Sequence, residues 1–403
     1  MNDKLRTPTL LKGTRMLSPS KWKHLKLKVD RFLADLAPVD SLREALPASV
    51  TLRQRTQRAL GKLLARPERL SVPLIGNIAF QMVRTAYELK LFSYLKEHPG
   101  CSPRQVREAL GLTEHSCDVL LVGLGSLGLI RRIEDELYND PYLERIVQPE
   151  FNDGFFVKWL AFNQNLVRPA SEWLLDSVKQ DRPVGLYQTL GGVESFYQAI
   201  SLEPDKLKFF DDFMKAVTSL NKEQVAATPA FSSFRTIIDV GGSSGSLAIA
   251  LAKHHPHVDV TVFDFPKVAE LARRNFDQTP HATRLHTIGG NLLQDGIPRG
   301  FDCITLCHMF GVFGEERSIE ILRRAYDALE PGKAVCVYTP VLHEDEDGPV
   351  STGVFGSYFL FLANGHGRFY SPTRIRSWLT RAGFKELRTV PLPAHEALFF
   401  GYK

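Results

Sequence analysis

The chain has 403 residues, a length typical of two or three domains. Hydrophobic residues make up 44% of it and charged residues 24%, which are ordinary values for a globular protein. This composition excludes the disordered, collagen-like and coiled-coil classes. The formal net charge of +5 is a mild excess that does not by itself imply a polyanionic partner.

The charge is distributed unevenly along the chain. Residues 1–70 hold 16 Lys and Arg against 6 Asp and Glu, whereas the remaining residues hold 34 against 39. Residues 1–72 therefore form a separate basic arm. Apolar residues at helical spacing predict one amphipathic helix there: Leu25, Val29, Phe32, Leu33 and Leu36. The arm either contacts a membrane surface or a partner, or packs on the body with a solvated basic face. The second interpretation is favoured, because charge runs are usually solvated.

No apolar run reaches the roughly 20 residues that a membrane span needs, and no signal-peptide core follows the basic start. The five cysteines are odd in number and lack metal-ligand spacing. Such cysteine usage indicates a reduced environment. The sequence therefore predicts a cytoplasmic protein without a metal site.

Residues 73–148 are predicted to form a helical module that ends in a small hairpin. Ile75–Leu95 has the apolar spacing of one helix. Ser102 and Thr113 are predicted N-caps of two further helices. Alternating residues around a charged turn predict two strands over Ile130–Tyr138. This order of elements is typical of a winged helix.

Winged helices can bind DNA, but the charges here argue against that function. Contacts with bases and phosphates need Arg, Lys, Asn or Gln side chains. No Lys or Arg occurs between Arg107 and Arg131, and the second helix is almost wholly apolar. We therefore expect no nucleic-acid partner, and we interpret the apolar helix as a buried or dimer-forming surface.

Residues 149–235 are predicted to be helical and are unusually aromatic. Most of these rings are expected in the core, because aromatic side chains dominate core burial. Others can line an apolar ligand pocket, since such pockets are mainly hydrophobic with few polar groups. With two residues from a later segment, the predicted pocket consists of Trp159, Phe162, Phe213, Met214, Phe361 and Asn364.

Residues 236–403 alternate between predicted strands and helices. Continuous apolar strands of this kind suit a parallel sheet covered by helices on both faces, which is an α/β fold. The predicted strands are Thr236–Val240, Asp259–Phe263, Arg284–Ile288, Phe301–Leu306, Ala334–Tyr338 and Leu398–Tyr402. The predicted helices lie near Ser246–Lys253, Pro266–Phe276, Glu316–Leu329 and Ser371–Ala382.

The segment Asp239–Gly245 joins a β-branched strand to a helix and is rich in glycine. Glycines at such a turn let a ligand approach the backbone, and an acid at the end of the next strand, here Asp264, typically binds ribose hydroxyls. The glycine spacing differs from the G-x-G-x-x-G pattern that seats a pyrophosphate. Asp239 stands just before the turn, where it suits a cation. The residues therefore favour S-adenosylmethionine (SAM) over NAD or FAD.

With these motifs the sequence resembles the small-molecule O-methyltransferases that carry a winged-helix dimerisation domain, such as the caffeate, hydroxyneurosporene and phenazine methyltransferases. The resemblance implies a Rossmann-like class I methyltransferase domain with a seven-stranded sheet, a homodimer, and an acceptor pocket built from the central helices. The residues that carry it are Asp239–Gly245, Phe263–Pro266, Gly289–Asn291, Phe301–Leu306, Glu315–Leu329, Pro331-Gly332 and Ser371–Phe384.

The resemblance also implies which residues hold the cofactor. Asn291 stands where the family usually has Asp beside the adenine, and its side-chain carbonyl can still accept a bond from an adenine amine. Ser243 replaces a usual glycine, which is tolerable where that position avoids a strongly positive φ. The implied cofactor residues are Asp239, Gly241, Gly242, Gly245, Asp264, Phe265, Asn291, Leu292 and Cys307.

The general-base group of the family is missing from its usual place. Gly311 stands where the plant-type pattern has its base histidine, and the two acidic helpers fall at Tyr338 and Phe369. Either the acceptor is already nucleophilic, or another residue is the base, for which His308 and His366 are the candidates. For each histidine a structural or surface role is favoured over a catalytic one.

The leading hypothesis is methyl transfer from SAM to a hydroxyl, or to a nitrogen or carbon nucleophile, of an apolar, aromatic or polyketide-like small molecule. Proximity and orientation would supply most of the catalysis. The alternative keeps SAM as a fixed positive charge in a non-methylating reaction of the pericyclase, decarboxylase or hydroxylase type.

Overall fold

The computed structural model describes residues 66–148, 154–191, 196–197, 200 and 204–403. The predicted amphipathic helix of the basic arm lies outside the described residues. The chain divides into two compact units, residues 1–77 and residues 78–403. None of the described helices is long and apolar enough to cross a membrane.

The first described part of the chain is helical and ends in an antiparallel hairpin, as predicted. The predicted helix Ile75–Leu95 is wrong as a single element, because the chain turns at Lys90, which adopts a left-handed φ of 59°. The elements are α1 (Arg66–Glu88), α2 (Leu91–Glu97), α3 (Pro103–Leu110), α4 (Glu114–Ser126), β1 (Ile130–Ile133), β2 (Glu136–Asn139) and α5 (Pro141–Ile146).

Both predicted N-caps are confirmed. The Ser102 hydroxyl accepts a bond from the Gln105 amide, and the Gln105 side chain accepts one from the Ser102 amide, which forms a capping box. Thr113 accepts a bond from the amide of Ser116 at the start of α4. These caps fix the ends of α3 and α4, so the two helices begin where the sequence predicts.

The aromatic central region folds into short helices around a cluster of phenyl rings. Phe162 and Phe213 stack with ring centroids 4.0 Å apart and an interplanar angle of 2°. The α-helices are α6 (Phe155–Phe162), α7 (Arg168–Ser171), α8 (Leu174–Gln180), α9 (Val184–Leu190), α10 (Pro204–Ser219) and α11 (Lys222–Ala226); a π-helical turn, Asn163–Val167, joins α6 to α7.

A seven-stranded sheet forms the C-terminal part, with the strands β3 (Thr236–Val240), β4 (Asp259–Asp264), β5 (Leu285–Gly289), β6 (Cys303–Cys307), β7 (Ala334–Pro340), β8 (Lys385–Leu392) and β9 (Glu396–Tyr402). Their order in the sheet is β5-β4-β3-β6-β7-β9-β8. Neighbouring strands are parallel except at β9, which runs antiparallel to β7 and β8. All six predicted strands are confirmed within two residues at each end.

Strand β8 was not predicted, because it carries charged residues and is an edge strand that stays largely exposed. The central strands are buried on both faces: in β3, Ile237 packs into one apolar core and Ile238 into the other. Helices on the two faces cover these cores. They are α12 (Ser246–His254), α13 (Pro266–Phe276), α14 (Leu292–Asp295), α15 (Glu315–Ala328) and α17 (Pro372–Ala382). A further short helix, α16 (Val350–Phe355), packs against the aromatic cluster through Phe355.

Gly185 of α9 tests how tightly the aromatic region packs. A Cβ atom at this position would lie 2.4 Å from the Ala170 carbonyl oxygen and 2.6 Å from that of Phe361. Because backbone must move to admit a methyl group, we expect Gly185→Ala to lower the free energy of unfolding by about 1–3 kcal/mol. Denaturant unfolding measures this change.

Gly125 of α4 is the matched control, since a Cβ atom there meets nothing within 4 Å. Gly125→Ala should raise the free energy of unfolding by about 0.5–1 kcal/mol through helix propensity. Equal effects of the two substitutions would contradict the packing argument.

Candidate functional site

The strand order reverses between β3 and β6, because the chain continues from β3 to β4 on one side and reaches β6 on the other. In sheets of this kind a ligand binds at the carboxyl ends of the strands on either side of such a reversal. The glycine-rich turn follows β3, Asp264 ends β4, and Cys307 ends β6. The fold thus brings the glycine-rich turn, Asp264 and Cys307, all predicted to hold the cofactor, to one edge of the sheet.

The glycines of the turn after β3 lie too close to their surroundings to carry side chains. Gly241 and Gly245 have left-handed φ values of 72° and 79°. A Cβ atom on Gly242 would lie 2.7 Å from Oδ2 of Asp239, and one on Gly245 would lie 2.3 Å from the Phe276 ring. Glycine is therefore required at these positions for steric reasons.

Ser243 interrupts these glycines, and it does not meet the condition of avoiding a positive φ. Its φ is 52°, so a residue with a side chain adopts the left-handed conformation in the middle of the turn. Its amide donates a bond of 2.9 Å to Oδ2 of Asp264, and its hydroxyl donates one of 3.0 Å to Oδ1 of Asp211.

Asp264 is a largely enclosed carboxylate at the end of β4. Besides the bond from Ser243, its Oδ1 accepts a bond of 2.7 Å from the amide of Phe265. Burial raises the pKa of Asp264, and these two amides oppose that rise. An ionised carboxylate has about four lone-pair sites, so it can still accept bonds from two ribose hydroxyls.

Asp239 lies beneath the turn with 1% of its surface exposed. Its Oδ1 accepts a bond of 2.7 Å from the Thr305 hydroxyl, and the Cys307 thiol also bonds to it. Burial raises the pKa of Asp239 to about 6. Asp239 and Cys307 thus form one buried cluster at the ends of β3 and β6, and their contact with the cofactor stays a prediction.

An exposed apolar surface lies beside Asp264. Phe265 precedes α13 and is 48% exposed, and Ile288 and Leu293 at the end of β5 and in α14 are also exposed. Leu292 is half-buried against the sheet core. Asn291 caps α14 by accepting a bond from the Leu293 amide at 2.9 Å. Because an amide oxygen has two lone pairs, this cap does not exclude the predicted adenine contact.

The residues at this edge fit SAM. Carboxylates suit the sulfonium and ammonium charges of SAM, and Asp264 and Asp239 lie at the turn and under it. The turn itself contains no Lys or Arg that would favour a phosphate. The glycine backbone offers the close approach, and the exposed Phe265 ring offers an apolar surface to an adenine.

The position of the family's base histidine is filled by aromatic rings. A Cβ atom on Gly311 would lie 2.7 Å from Cζ of Phe359 and 3.1 Å from Cε1 of Phe369. Phe369 itself stands at one of the two helper positions. At Gly311 and Phe369, where the resemblance expects the base histidine and an acidic helper, the structure thus has a packed apolar cluster.

The two candidate histidines differ sharply in their surroundings. His308 directly follows β6, has a left-handed φ of 51°, and packs edge-on against Tyr338 with ring centroids 4.5 Å apart. Its Nε2 is buried and has no hydrogen-bond partner among the described residues. Burial lowers the pKa of His308, so its imidazole is neutral near pH 7. His366, in contrast, is exposed on a loop.

Two polar residues near His308 were missed from the sequence. Glu396 is 5% exposed, accepts a bond from the Tyr338 hydroxyl, and accepts another of 2.7 Å from Nδ2 of Asn221. The negative charge of Glu396 opposes the lowering of the His308 pKa. The sequence signal for Glu396 was an isolated acid at the start of the apolar strand β9. Its contact with Asn221 had no local signature, because the two residues lie 175 positions apart in the chain.

The predicted pocket residues come together in one aromatic cluster. Trp159 packs against Phe213 and Phe355, while Phe162, Phe213 and Phe361 are each less than 5% exposed and form part of the core. Met214 is half-buried beside them. Asn364 belongs to the loop after a π-helical turn, Phe359–Ala363, and its Oδ1 is buried without a partner in the described part of the chain.

The sequence predicts no metal site. Within the described ranges one group has suitable ligand atoms: His343, Asp345 and Asp347, which lie within 4.8 Å of one another after β7. Exposed acidic groups of this kind are common without an ion.

The sequence profile of the O-methyltransferase domain matches residues 172–385, more than half of the chain. The chain belongs to the O-methyltransferase family. It is 31% identical over 330 residues to acetylserotonin O-methyltransferase of Mus musculus molossinus, covering 78% of this chain and 82% of that protein. It is 26% identical over 324 residues to L-tyrosine C(3)-methyltransferase of Streptomyces lavendulae, covering 80% and 88%.

A solved structure has the same architecture. The SAM-dependent methyltransferase SibL, in its apo form, superposes with a TM-score of 0.73 at 27% identity, over 83% of this chain and 98% of that one. The seven-stranded domain is thus a class I methyltransferase domain, with SAM as its cofactor. The enzyme is a SAM-dependent methyltransferase, as the sequence predicts.

Asp264→Ala tests the cofactor edge. A hydrogen bond to a charged group contributes about 1.5–3 kcal/mol. Loss of one therefore weakens SAM binding roughly 10- to 100-fold in Kd. Calorimetric titration with SAM measures the change.

Asp259, exposed at the opposite end of the same strand, is the control residue. Asp259→Ala should bind SAM as the wild type does. An Asp264→Ala protein that binds SAM with unchanged affinity would contradict the ribose role of Asp264.

Proposed function

We propose that the enzyme methylates a hydroxyl group of an apolar, aromatic or polyketide-like small molecule. One observation carries this proposal: the aromatic cluster is continuous with the cofactor edge. Val312 and Phe313, which lie just after β6, pack in the same cluster as Phe162, Phe213 and Phe361. A flat apolar acceptor held among these rings would lie beside the carboxyl ends of β3 and β6.

The two relatives named above support this acceptor class. L-Tyrosine and acetylserotonin are both small molecules with an aromatic ring, and tyrosine and serotonin rings each carry an oxygen substituent. One of the two enzymes is named for methylation at carbon and the other for methylation at oxygen. We infer oxygen as the methylated atom here from the O-methyltransferase profile.

SAM supplies a methyl group bound to a positively charged sulfur, which makes that carbon electrophilic. The chain must therefore hold the acceptor oxygen in line and accept its proton. Orientation alone accounts for effective molarities of about 10⁵–10⁸ M. The aromatic cluster provides orientation and excludes water, so the remaining requirement is a proton acceptor.

We propose His308 rather than His366 as that proton acceptor. In support, the His308 ring lies at the end of β6, its Nε2 has no partner among the described residues, and its lowered pKa keeps it neutral. Glu396, linked through Tyr338, carries the opposite charge and would stabilise the protonated imidazole. An exposed loop residue such as His366 lacks these features.

The proposed function is tested with methyl-labelled SAM and a panel of phenols, hydroxyindoles and hydroxynaphthoates. We expect a labelled product from at least one acceptor, with one equivalent of S-adenosylhomocysteine released per product. Mass spectrometry measures both species. A product without the label, or an absence of labelled product across the panel in a protein that binds SAM, would overturn the proposal.

His308→Gln should lower kcat by about 10²–10⁴-fold, the usual contribution of a general base. SAM affinity should stay unchanged, since no cofactor contact is removed. The wild-type rate should fall as the pH drops below the His308 pKa, which burial holds under the ordinary value of 6.5. His308→Gln should lose this dependence. Any fall in rate that the variant keeps near pH 6 is assigned to Asp239, whose pKa is about 6.

His366→Gln is the control for this prediction and should keep the wild-type kcat. A large loss of kcat in His366→Gln, with a normal rate in His308→Gln, would reverse the assignment.

We also propose a cytoplasmic homodimer that associates through a winged-helix domain at residues 73–148. Helix α4 is apolar on both sides: Cys117, Leu120 and Leu124 are buried, whereas Val119 and Val122 are 49% and 65% exposed. Such an exposed apolar surface suits a subunit contact. Unpaired cysteines support the reducing location.

Val122→Glu should shift the enzyme from dimer to monomer, because it buries an unpaired charge in the proposed interface. Light scattering after size-exclusion chromatography measures the mass. Thr283→Glu, which adds the same charge on an exposed turn, should remain dimeric. A wild-type monomer would refute the homodimer.

A further inference from the structure

Ser243 adopts a conformation that favours glycine, in a turn that also contains Gly241, Gly242 and Gly245. Gly241, Ser243 and Gly245 all have φ between 52° and 79°. A side chain at Ser243 is strained there, and glycine would relieve the strain. Strain of this kind persists where the surrounding structure holds it, and it is most often found at functional sites. The hydroxyl of Ser243 therefore needs an explanation.

The Ser243 hydroxyl connects the cofactor turn to a helix outside the sheet domain. It donates its bond to Oδ1 of Asp211 in α10, which is 5% exposed. Oδ2 of Asp211 binds Nζ of Lys215 at 2.9 Å, one turn further along the same helix. Because both carboxylate oxygens are used, Asp211 is held in place and is itself partly neutralised.

Ser243 also contacts the predicted ribose acid. Its amide binds Asp264, so one residue bridges two carboxylates, Asp264 through the backbone and Asp211 through the side chain. The negative charge of Asp211 adds to the rise in the pKa of Asp264. Ser243 is therefore the single residue between Asp264 and Asp211 of α10, so a change at Asp264 on cofactor binding can reach α10 through Ser243.

Helix α10 contributes to both sites. Asp211 contacts the cofactor turn, and two residues further on Phe213 stacks on Phe162 of α6. Met214 follows in the same aromatic cluster. A shift of α10 relative to the turn would move the wall of the acceptor pocket relative to the cofactor.

We propose that the Ser243–Asp211 bond is a clasp that fixes α10 on the cofactor turn and couples cofactor binding to acceptor binding. Only the part of this inference that concerns acceptor binding rests on the proposed function. Ser243 and Asp211 are positioning residues: they touch each other and the elements of the two sites. The strained conformation of Ser243 is retained because its hydroxyl makes this connection.

The first experiment follows hydrogen exchange of α10 amides with and without S-adenosylhomocysteine, and it needs no acceptor. In the wild type we expect the ligand to slow exchange both in the turn after β3 and in α10. Ser243→Gly, which removes the hydroxyl and the strain together, should keep the protection of the turn and lose that of α10. Equal protection of α10 in the wild type and in Ser243→Gly would overturn the clasp.

The second experiment measures acceptor KM and SAM Kd for an acceptor found in the labelling assay. Ser243→Ala and Asp211→Ala should each raise the acceptor KM by at least about fivefold, with a smaller change in SAM Kd, and the double variant should be no worse than either single one. Asp211→Asn keeps an acceptor oxygen and should restore part of the loss. Additive effects in the double variant would contradict a shared clasp.

Asp212 is the matched control, since it neighbours Asp211 but pairs with Lys208 on the surface. Asp212→Ala should leave KM, Kd and exchange unchanged. The two experiments also separate this inference from the proposed function: if no acceptor is methylated, the loss of α10 protection in Ser243→Gly still supports the clasp.

Discussion

The site depends on the close approach of one backbone turn to the elements beneath it. At Gly242 and Gly245 the distance to Asp239 and to the Phe276 ring leaves no room for a side chain. The turn therefore lies directly on the sheet edge, where the Ser243 amide bonds to Asp264 and the Ser243 hydroxyl bonds to Asp211 of α10. The buried strands hold this edge rigid, since both faces of β3 pack into apolar cores. The geometry of the cofactor-binding edge is thus a result of close packing.

Catalysis is arranged differently from cofactor binding. The cofactor edge carries the glycines and Asp264 that the family resemblance implies, whereas Gly311 and Phe369 stand where the resemblance expects the base histidine and an acidic helper. Polar residues are concentrated instead at the end of β6 and the start of β9, where His308, Tyr338 and Glu396 meet in a buried group. A buried polar group of this kind is costly unless its members are satisfied, and Nε2 of His308 has no partner among the described residues, which favours a functional role.

Local sequence patterns predicted most of the fold. Strand ends, glycines and caps are local signals, so β3, the turn after it, Asp264 and the caps at Ser102 and Thr113 were predictable. Residues joined by tertiary contacts were not. Asn221 and Glu396 lie 175 residues apart, and Ser243 and Asp211 lie 32 apart. The left-handed φ of Ser243 was also unpredictable, because the hydrogen bond that holds its side chain is made to Asp211 on helix α10.

The rings beside Gly311 have an evolutionary consequence. A histidine at position 311 would collide with Phe359 and Phe369, so placing one there requires smaller side chains at those positions. Either order of single substitutions passes through an overpacked or a cavity-containing intermediate, and both lower stability. The effects of the three positions are therefore strongly epistatic. A single substitution therefore cannot install a histidine base at position 311, because the rings of Phe359 and Phe369 must change with it.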